Sequence, residues 1–288
     1  MTRAKLLQNI SVTAEDGIVY PLQGGRPVRF VHLDGTGMAE VRRILQRTPQ
    51  QDGVTDRGYR LEPRKMTLAL FIDGLTEYNA DEIRDKLIYI FSPTTTALKL
   101  TCTRFDNTVR QIDCFVDGAL DLPQSNRTAG TQLIIVPLLA PNPTFYDPTQ
   151  QTTTASLSTG TGSPNIPAAG YSADDWPIIE VTGPITNLNI SHSPSSDVLT
   201  ITGTIPALET WRFDLRPGYK TLVRTSDNAN RMNYVVTSTL RAFSTMRLLS
   251  EKSTAIYSQT ANIFTCTGTG YSGASSISFK WYKRYLSL

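Results

Sequence analysis

The chain has 288 residues, of which 40% are hydrophobic and 18% charged, and its formal net charge is +3. This length can form one large domain or two ordinary ones, and the charge is too small to indicate a nucleic-acid or membrane partner. Its three cysteines (Cys102, Cys114 and Cys266) are too dispersed to predict a disulfide framework. The first residues lack the apolar core of a signal peptide, and no apolar run approaches the roughly 18 residues of a membrane span. We therefore expect a soluble protein that is made in a cytoplasm and has no membrane partner.

The first part of the chain is predicted to form short strands and then one long strand. Residues 8–33 contain brief apolar runs interrupted by Gly and Pro, and residues 38–48 fit either a helical turn or a strand, of which we favour the strand. Residues 49–58 are rich in Pro, Gly and Asp, which predicts an irregular loop with fixed backbone turns. The next segment alternates and predicts a strand buried on at least one face, formed by Met66, Leu68, Leu70 and Ile72.

Residues 79–92 carry the pattern of an amphipathic helix. Asn79 is the predicted N-cap, Glu82 is its capping-box partner, and Pro93 ends the helix. The apolar residues have the spacing of one buried stripe: Ile83, Leu87, Ile90 and Phe91. Capping and a solvated face explain the acidic residues of this segment better than a catalytic or metal site does.

Residues 97–117 are predicted to form a β-hairpin, because two alternating runs flank the turn-favouring pair Asp106–Asn107. A turn centred on that pair places Cys102 opposite Gln111 and turns Cys114 toward the other face. This register argues against a disulfide between the two cysteines.

An apolar strand is predicted over residues 132–140. Pro137 interrupts it, which suggests an edge strand or a bulge, because proline cannot donate a hydrogen bond to a neighbouring strand. Three prolines within 141–148 then predict a stiff, extended exit from a first domain.

The second half of the chain is predicted to be a separate domain. Residues 149–176 are rich in Thr, Ser and Gly, and no Lys or Arg occurs between Arg127 and Arg212, so we expect a flexible linker or long loop there. Short alternating segments then follow at the close spacing of a β-sandwich. The predicted domains are residues 1–148 and 177–288.

Motifs for catalysis, cofactors and metals are weak. The segment GTGYSG at 268–273 fits G-x-G-x-x-G, but no helix and strand can follow it, so it is predicted to be a turn. His32 and His192 stand alone, without the Cys, Asp or Glu neighbours that a metal site needs. We predict no catalytic, cofactor or metal site, although the scattered carboxylates leave a glycosidase pair open.

Three stretches, in order, resemble the distal tail protein family of long-tailed (siphovirus-type) bacteriophages. The first is the P-x-x-D-G loop, an Arg and the alternating strand within 47–73. The second is the corner formed by Pro141, Pro143, Phe145 and Tyr146. The third is the set of segments PIIEVTGPITNLNIS, WRFDLRPG, SDNANRMNYV and ISFKWYKRYLSL. The resemblance implies a mainly β protein with an N-terminal β-barrel or sheet domain, containing one α-helix and a β-hairpin, and a C-terminal galectin-like β-sandwich.

The resemblance also implies a function in assembly at the virion tail tip. Members of the family form a homohexameric ring that joins the tail tube protein to the tail-tip hub (tail-associated) protein, and DNA passes through the ring without specific binding. Receptor-binding proteins are a further expected partner of the second domain. The candidate subunit contacts are Gln51, Asp52, Arg57 and Arg60. No cofactor and no enzymatic activity are expected.

The galectin-like segments leave a second function open, a glycan-binding protein of host adsorption. Lectins often stack an exposed Trp on a sugar ring. Alternation places Trp211 and Trp281 in the core, so Trp176 is the candidate platform, for which packing is the favoured interpretation.

Overall fold

The computed structural model describes residues 9–23, 26–50, 52–123, 128, 130–168, 172–256 and 261–288. The protein is mainly β, as predicted, and divides into two compact units. The first unit comprises Met1–Pro148 together with Tyr285–Leu288, and the second comprises Thr149–Arg284. The last four residues therefore return to the first unit, which corrects the predicted boundary of 177–288.

The described residues of the first unit form one large antiparallel sheet, a separate two-stranded sheet and one helix. Its elements are β1 (Asn9–Thr13), β2 (Val19–Pro21), β3 (Val28–Asp34), β4 (Val41–Gln46), β5 (Thr55–Leu61), β6 (Arg64–Asp73), α1 (Glu77–Ile90), β7 (Leu98–Thr103), β8 (Val109–Val116), β9 (Thr131–Ala140) and β10 (Phe145–Tyr146). The described strands of the large sheet follow the order β2-β1-β7-β8-β9-β6-β3, and β10 pairs with β8. β4 and β5 pair with each other.

The predicted long strand is confirmed as β6, which pairs with β9 along its whole length, from Arg64 opposite Ala140 to Asp73 opposite Thr131. Its four alternating apolar residues are buried in the core of the unit. β9 is an interior strand, so the predicted edge position of Pro137 is wrong. The proline lies where the pairing of β8 with β9 ends, and its carbonyl accepts a hydrogen bond from the N–H of Asp117 at 3.0 Å.

The predicted helix and its buried stripe are confirmed, but the predicted cap is wrong. α1 begins at Glu77, and Thr76 caps it by accepting a hydrogen bond from the N–H of Asn79 at 3.2 Å. Asn79 thus lies inside the first turn, where its N–H is one of the donors that needs a cap. Leu87, Ile90 and Phe91 pack into the core, and Ile83 packs against it.

The predicted hairpin over 97–117 is confirmed as β7–β8, with a different register. Its connection spans Arg104–Thr108, so Cys102 lies opposite Arg110 and Leu98 lies opposite Cys114. A register shift of one residue moves side chains to the other face, and both cysteines are therefore buried on the same side of the hairpin. They are free thiols four residues apart along the pairing, and burial raises the pKa of each to about 12.

The second unit is a β-sandwich. Its elements are β11 (Gln151–Ser156), β12 (Thr161–Gly162), β13 (Asn165–Pro167), β14 (Ile178–Thr182), β15 (Ile185–His192), β16 (Asp197–Thr200), β17 (Thr204–Ile205), β18 (Thr210–Asp214), β19 (Thr221–Arg224), α2 (Ala242–Thr245), α3 (Glu251–Ile256), β20 (Ala261–Thr269) and β21 (Ser276–Trp281). The last strand of the chain, β22 (Arg284–Tyr285), pairs with β10. One described sheet has the order β11-β21-β14-β18-β19, and the other contains β12-β20-β15-β16 with β13 and β17. Both sheets contribute to one core, where the rings of Phe264 and Phe279 lie 4.4 Å apart.

The flexible linker predicted over 149–176 is wrong. β11 pairs with β21 from Gln151 opposite Trp281 to Ser156 opposite Ser276, and β12 and β13 pair with β20. Leu157 and Ile166 from this stretch belong to the core of the sandwich. Threonine has a high β propensity, so a Thr-rich stretch forms strands when a partner strand is available.

Among the described residues, no helix is long and apolar enough to cross a membrane. The same residues contain no group of three or more His, Cys, Asp or Glu side chains that could hold a metal ion.

Candidate assembly surface

The β4–β5 ribbon, residues 41–61, lacks a buried face. We call it the basic hairpin. Within the described structure its strands pair with each other and with no third strand. Nearly all of its side chains are exposed, with Val41, Gly58 and Leu61 half-buried. A two-stranded ribbon without a packed face is marginally stable in water, so its faces are available for a partner.

A β-bulge shapes the middle of the basic hairpin. Arg43 lies opposite Tyr59, but the next pair joins Leu45 to Asp56, so Arg57 and Gly58 together face a single residue of β4. Gly58 has a φ of +113°, which side chains rarely adopt, and its N–H donates to Asp56 Oδ1 at 2.9 Å. A bulge strengthens the local twist and redirects the side chains beside it. The bulge thus sets the direction of Arg57.

The basic hairpin carries five Arg and two Asp residues. Arg43 is neutralised, since its Nη1 lies 2.8 Å from Asp56 Oδ2 and its guanidinium lies over the ring of Tyr59. Arg57 donates to the amide oxygen of Gln46 at 2.7 Å and, like Arg60, has no carboxylate partner in the described structure. Arg60 also lies opposite Arg42, whose Nη1 lies 4.0 Å from Glu62 Oε1. The hairpin therefore presents uncompensated positive charge.

Apolar side chains accompany this charge. Leu45 is 56% exposed and Tyr59 is 62% exposed, and Ile44 and Val54 are also exposed. Exposed apolar side chains that cluster within a polar rim mark interaction surfaces on soluble proteins. The basic hairpin therefore combines exposed charge with exposed apolar side chains, as protein–protein contact surfaces do.

Arg64, three residues after the basic hairpin, is a buried cation. Its side chain is 2% exposed, and it donates to the carbonyl oxygens of Gly35 at 2.6 Å, Pro143 at 2.7 Å and Leu286 at 2.7 Å, and also to that of Gly37. Burial lowers its pKa to about 10. Carbonyl dipoles here replace a carboxylate as the partner of a buried charge.

The predicted contact residues fall on this hairpin, with one exception. Arg57 lies in the bulge, Arg60 lies in β5, and Asp52 is exposed in the turn, whereas Gln51 lies outside the described residues. The predicted irregular loop over 49–58 is partly wrong, because β5 begins at Thr55. Sequence reasoning missed Arg64, whose partners come from segments distant in the chain.

The other predicted candidates are packed rather than arranged as a site. Trp176 is partly buried against the sandwich core, and its Nε1 donates to the carbonyl of Ser244 at 3.3 Å. His192 is fully buried between Ser195 and Asn262, and this burial lowers its pKa to about 4. In the glycine segment at 268–273, Gly268 and Thr269 form the end of β20, and only residues 270–273 lie in the predicted turn toward β21.

The profile of the phage tail protein RIFT-related domain matches residues 17–140. The matched residues all lie in the first unit. The whole chain has the fold of the Dit protein of phage SPP1, with a TM-score of 0.65 and 14% identity over 94% of this chain and 98% of that chain. A chain of the phage P2 baseplate in its activated conformation with Ca aligns with a TM-score of 0.49 and 8% identity, over 94% of this chain and 97% of that chain.

No curated protein matches the sequence. The profile match and the shared fold together confirm the predicted relationship to the distal tail proteins.

Proposed function

We propose that this tail protein is a distal tail protein whose copies close a hexameric ring. The ring joins the tail tube protein to the tail-tip hub protein and surrounds the path of the DNA. The solved relative with the same fold, SPP1 Dit, is described as a paradigm of the hub adsorption apparatus in phages that infect Gram-positive bacteria. The tail domain in the first unit supports the same role.

The observation that carries this proposal is the basic hairpin. A packed unit gains nothing internally from a ribbon whose two faces are in water, so the ribbon is explained by a contact that forms on assembly. Residues 1–150 contain 17 basic and 17 acidic residues, so net repulsion does not keep copies of the first unit apart. Asp52, Arg57 and Arg60 are the proposed contact residues, together with Gln51.

The second unit has a separate proposed role. We assign it a peripheral position as a galectin-like docking module, on which receptor-binding proteins assemble. Its Trp176 is held by packing, so no described feature favours the lectin alternative. The net charge of +3 is small, in keeping with a ring through which DNA passes without specific binding.

The experiment uses the full chain, because Arg64 and the last four residues belong to the same unit. We expect native mass spectrometry and negative-stain imaging to show sixfold rings with a central hole. Arg57→Glu is expected to shift the rings toward monomers without loss of folded structure. Lys252→Glu, an equal change of charge in α3, is the control. A folded chain that stays monomeric, both alone and with the terminal protein of the tail tube, contradicts the proposal.

A further inference from the structure

We propose that the basic hairpin of one copy binds the start of helix α1 on the next copy. We call this second surface the acidic corner, residues 75–82. The inference rests on the proposed ring and names the surface that completes each subunit contact.

The acidic corner presents two large side chains to solvent. Leu75 is 65% exposed and Tyr78 is 71% exposed. Leu75 also has a φ of +67°, a conformation that is unfavourable for leucine. Gly130 packs closely behind it, since a Cβ there would lie 2.9 Å from the carbonyl carbon of Leu75. The fold thus holds a strained leucine in water, which is a mark of functional sites.

The charge of the corner is opposite to that of the hairpin. Residues 75–82 contain Glu77, Asp81 and Glu82 and no Lys or Arg. Asp81 lies 3.2 Å from Arg84, but neither glutamate has a basic partner within the described structure. The carboxylate of Glu82 accepts a hydrogen bond from the Tyr78 hydroxyl, which raises the pKa of that tyrosine. Neither glutamate is neutralised by a cation within the described structure, so both carboxylates can pair with cations of another chain.

Two further basic residues lie near this corner, and both are engaged. Arg26 and Arg29 each bind the buried carboxylate of Asp73, two residues before the corner. Their positive charge is therefore partly neutralised within the unit. The uncompensated acidic side chains of Glu77 and Glu82 therefore match the uncompensated guanidinium groups of the basic hairpin.

The two surfaces lie at opposite ends of one strand. Arg64, the first residue of β6, lies three residues after the basic hairpin, and Asp73, its last residue, lies two residues before the acidic corner. Ten residues of strand span about 30 Å. A head-to-tail ring requires two different, complementary patches on opposite sides of each subunit. The hairpin and the corner meet that requirement in sign of charge, in exposed apolar side chains and in position.

The contact predicted by this arrangement has an apolar centre and a charged rim. Leu45 and Tyr59 on the hairpin would cover Leu75 and Tyr78 on the corner, and arginine–carboxylate pairs would surround them. Such a rim mainly sets specificity and register, while the covered aromatic and leucine side chains supply most of the binding.

Two charge-reversal variants of the full chain test this pairing. The hairpin variant carries Arg57→Glu and Arg60→Glu, and the corner variant carries Glu77→Arg and Glu82→Arg. Each variant alone brings like charges together at every contact. We expect at least a tenfold rise in the concentration at which half of each variant is assembled, measured by light scattering.

A mixture of the two variants gives the decisive result. A reversed hairpin fits a reversed corner, and a native hairpin fits a native corner, so the variants are complementary when they alternate around a ring. We expect the mixture to recover rings that contain three copies of each variant, identified by mass. A single chain with all four substitutions is also expected to assemble.

The controls are Glu15→Lys and Lys252→Glu, at exposed positions outside both surfaces, and circular dichroism confirms that each variant is folded. Normal rings from the corner variant would overturn the pairing and leave the proposed ring intact. Folded variants that are monomeric alone and do not assemble when mixed would also overturn it. Absence of rings from the unmodified chain would instead contradict the proposed function.

Discussion

The first unit contains two hairpins of similar size that differ in nearly every physical respect. In β7–β8 the side chains alternate, with Leu98, Leu100 and Cys102 buried, and β1 and β9 continue the sheet on either side. In the basic hairpin, Ile44 and Leu45 are adjacent, a bulge breaks the register, and no described strand continues the sheet. A two-residue period of apolar side chains indicates a strand whose apolar face is buried within its own chain. The basic hairpin lacks that period, and in our proposal a second copy of the chain covers it.

The largest expected effect on stability comes from removing the buried cation that follows the basic hairpin. Arg64→Met leaves four partly buried carbonyl oxygens without their donor, and we expect a loss of about 3–5 kcal/mol in the free energy of unfolding. Denaturant unfolding measures it. Arg64→Lys should recover only part of the loss, because a single ammonium cannot reach all four acceptors. A loss below about 1 kcal/mol for Arg64→Met would show that these hydrogen bonds contribute little to the stability of the unit.

The next largest effect tests the hairpin that is built into the core. Leu100→Ala in β7 removes a fully buried side chain, and we expect it to cost about 2–5 kcal/mol in unfolding free energy. The subunit contact lies elsewhere, so rings should still form below the unfolding transition. Loss of rings from a folded Leu100→Ala protein would mean that β7–β8 also belongs to the contact.

The next prediction concerns a third hairpin, β15–β16 in the second unit, where β15 ends at the buried His192. Burial lowers the pKa of His192 from 6.5 to about 4, so the unfolded chain binds the proton more tightly than the folded one. Stability is therefore complete above pH 6.5 and falls as the pH drops toward 4, by up to about 3 kcal/mol. Unfolding at a series of pH values measures this slope. His192→Gln should flatten it, and an unchanged slope would assign it to another group.

The smallest effect on stability is expected where the effect on assembly is large. Leu45→Ala in the basic hairpin alters an exposed side chain, and the free energy of unfolding should change by less than about 0.5 kcal/mol. Ring assembly should weaken, as light scattering of the same sample would show. A substantial loss of stability together with intact rings would reverse our comparison of the two hairpins.

Much of the fold follows from local patterns in the sequence. The alternation at Met66–Ile72 and the helical stripe at Leu87 and Ile90 report burial directly, because the period of a strand or helix is set by its own backbone. The predicted helix cap and the predicted hairpin register were wrong because more than one local arrangement fits the sequence at each place. Thr76 and Asn79 can both cap a helix, and the length of the connection at Arg104–Thr108 decides the register of β7 against β8.

Other features were decided by tertiary structure. The Thr-rich stretch that begins at Gln151 becomes a strand because β21, more than a hundred residues later, offers it an edge. Arg64 is buried because carbonyl groups from Gly35, Pro143 and Leu286 converge on it, and backbone carbonyls leave no signature in a sequence. The candidate site depends on both kinds of information. The composition of the sequence indicated Arg57 and Arg60 as contact residues. Their exposure on an unsupported ribbon, opposite in position and charge to the start of α1, results from the packing of distant segments.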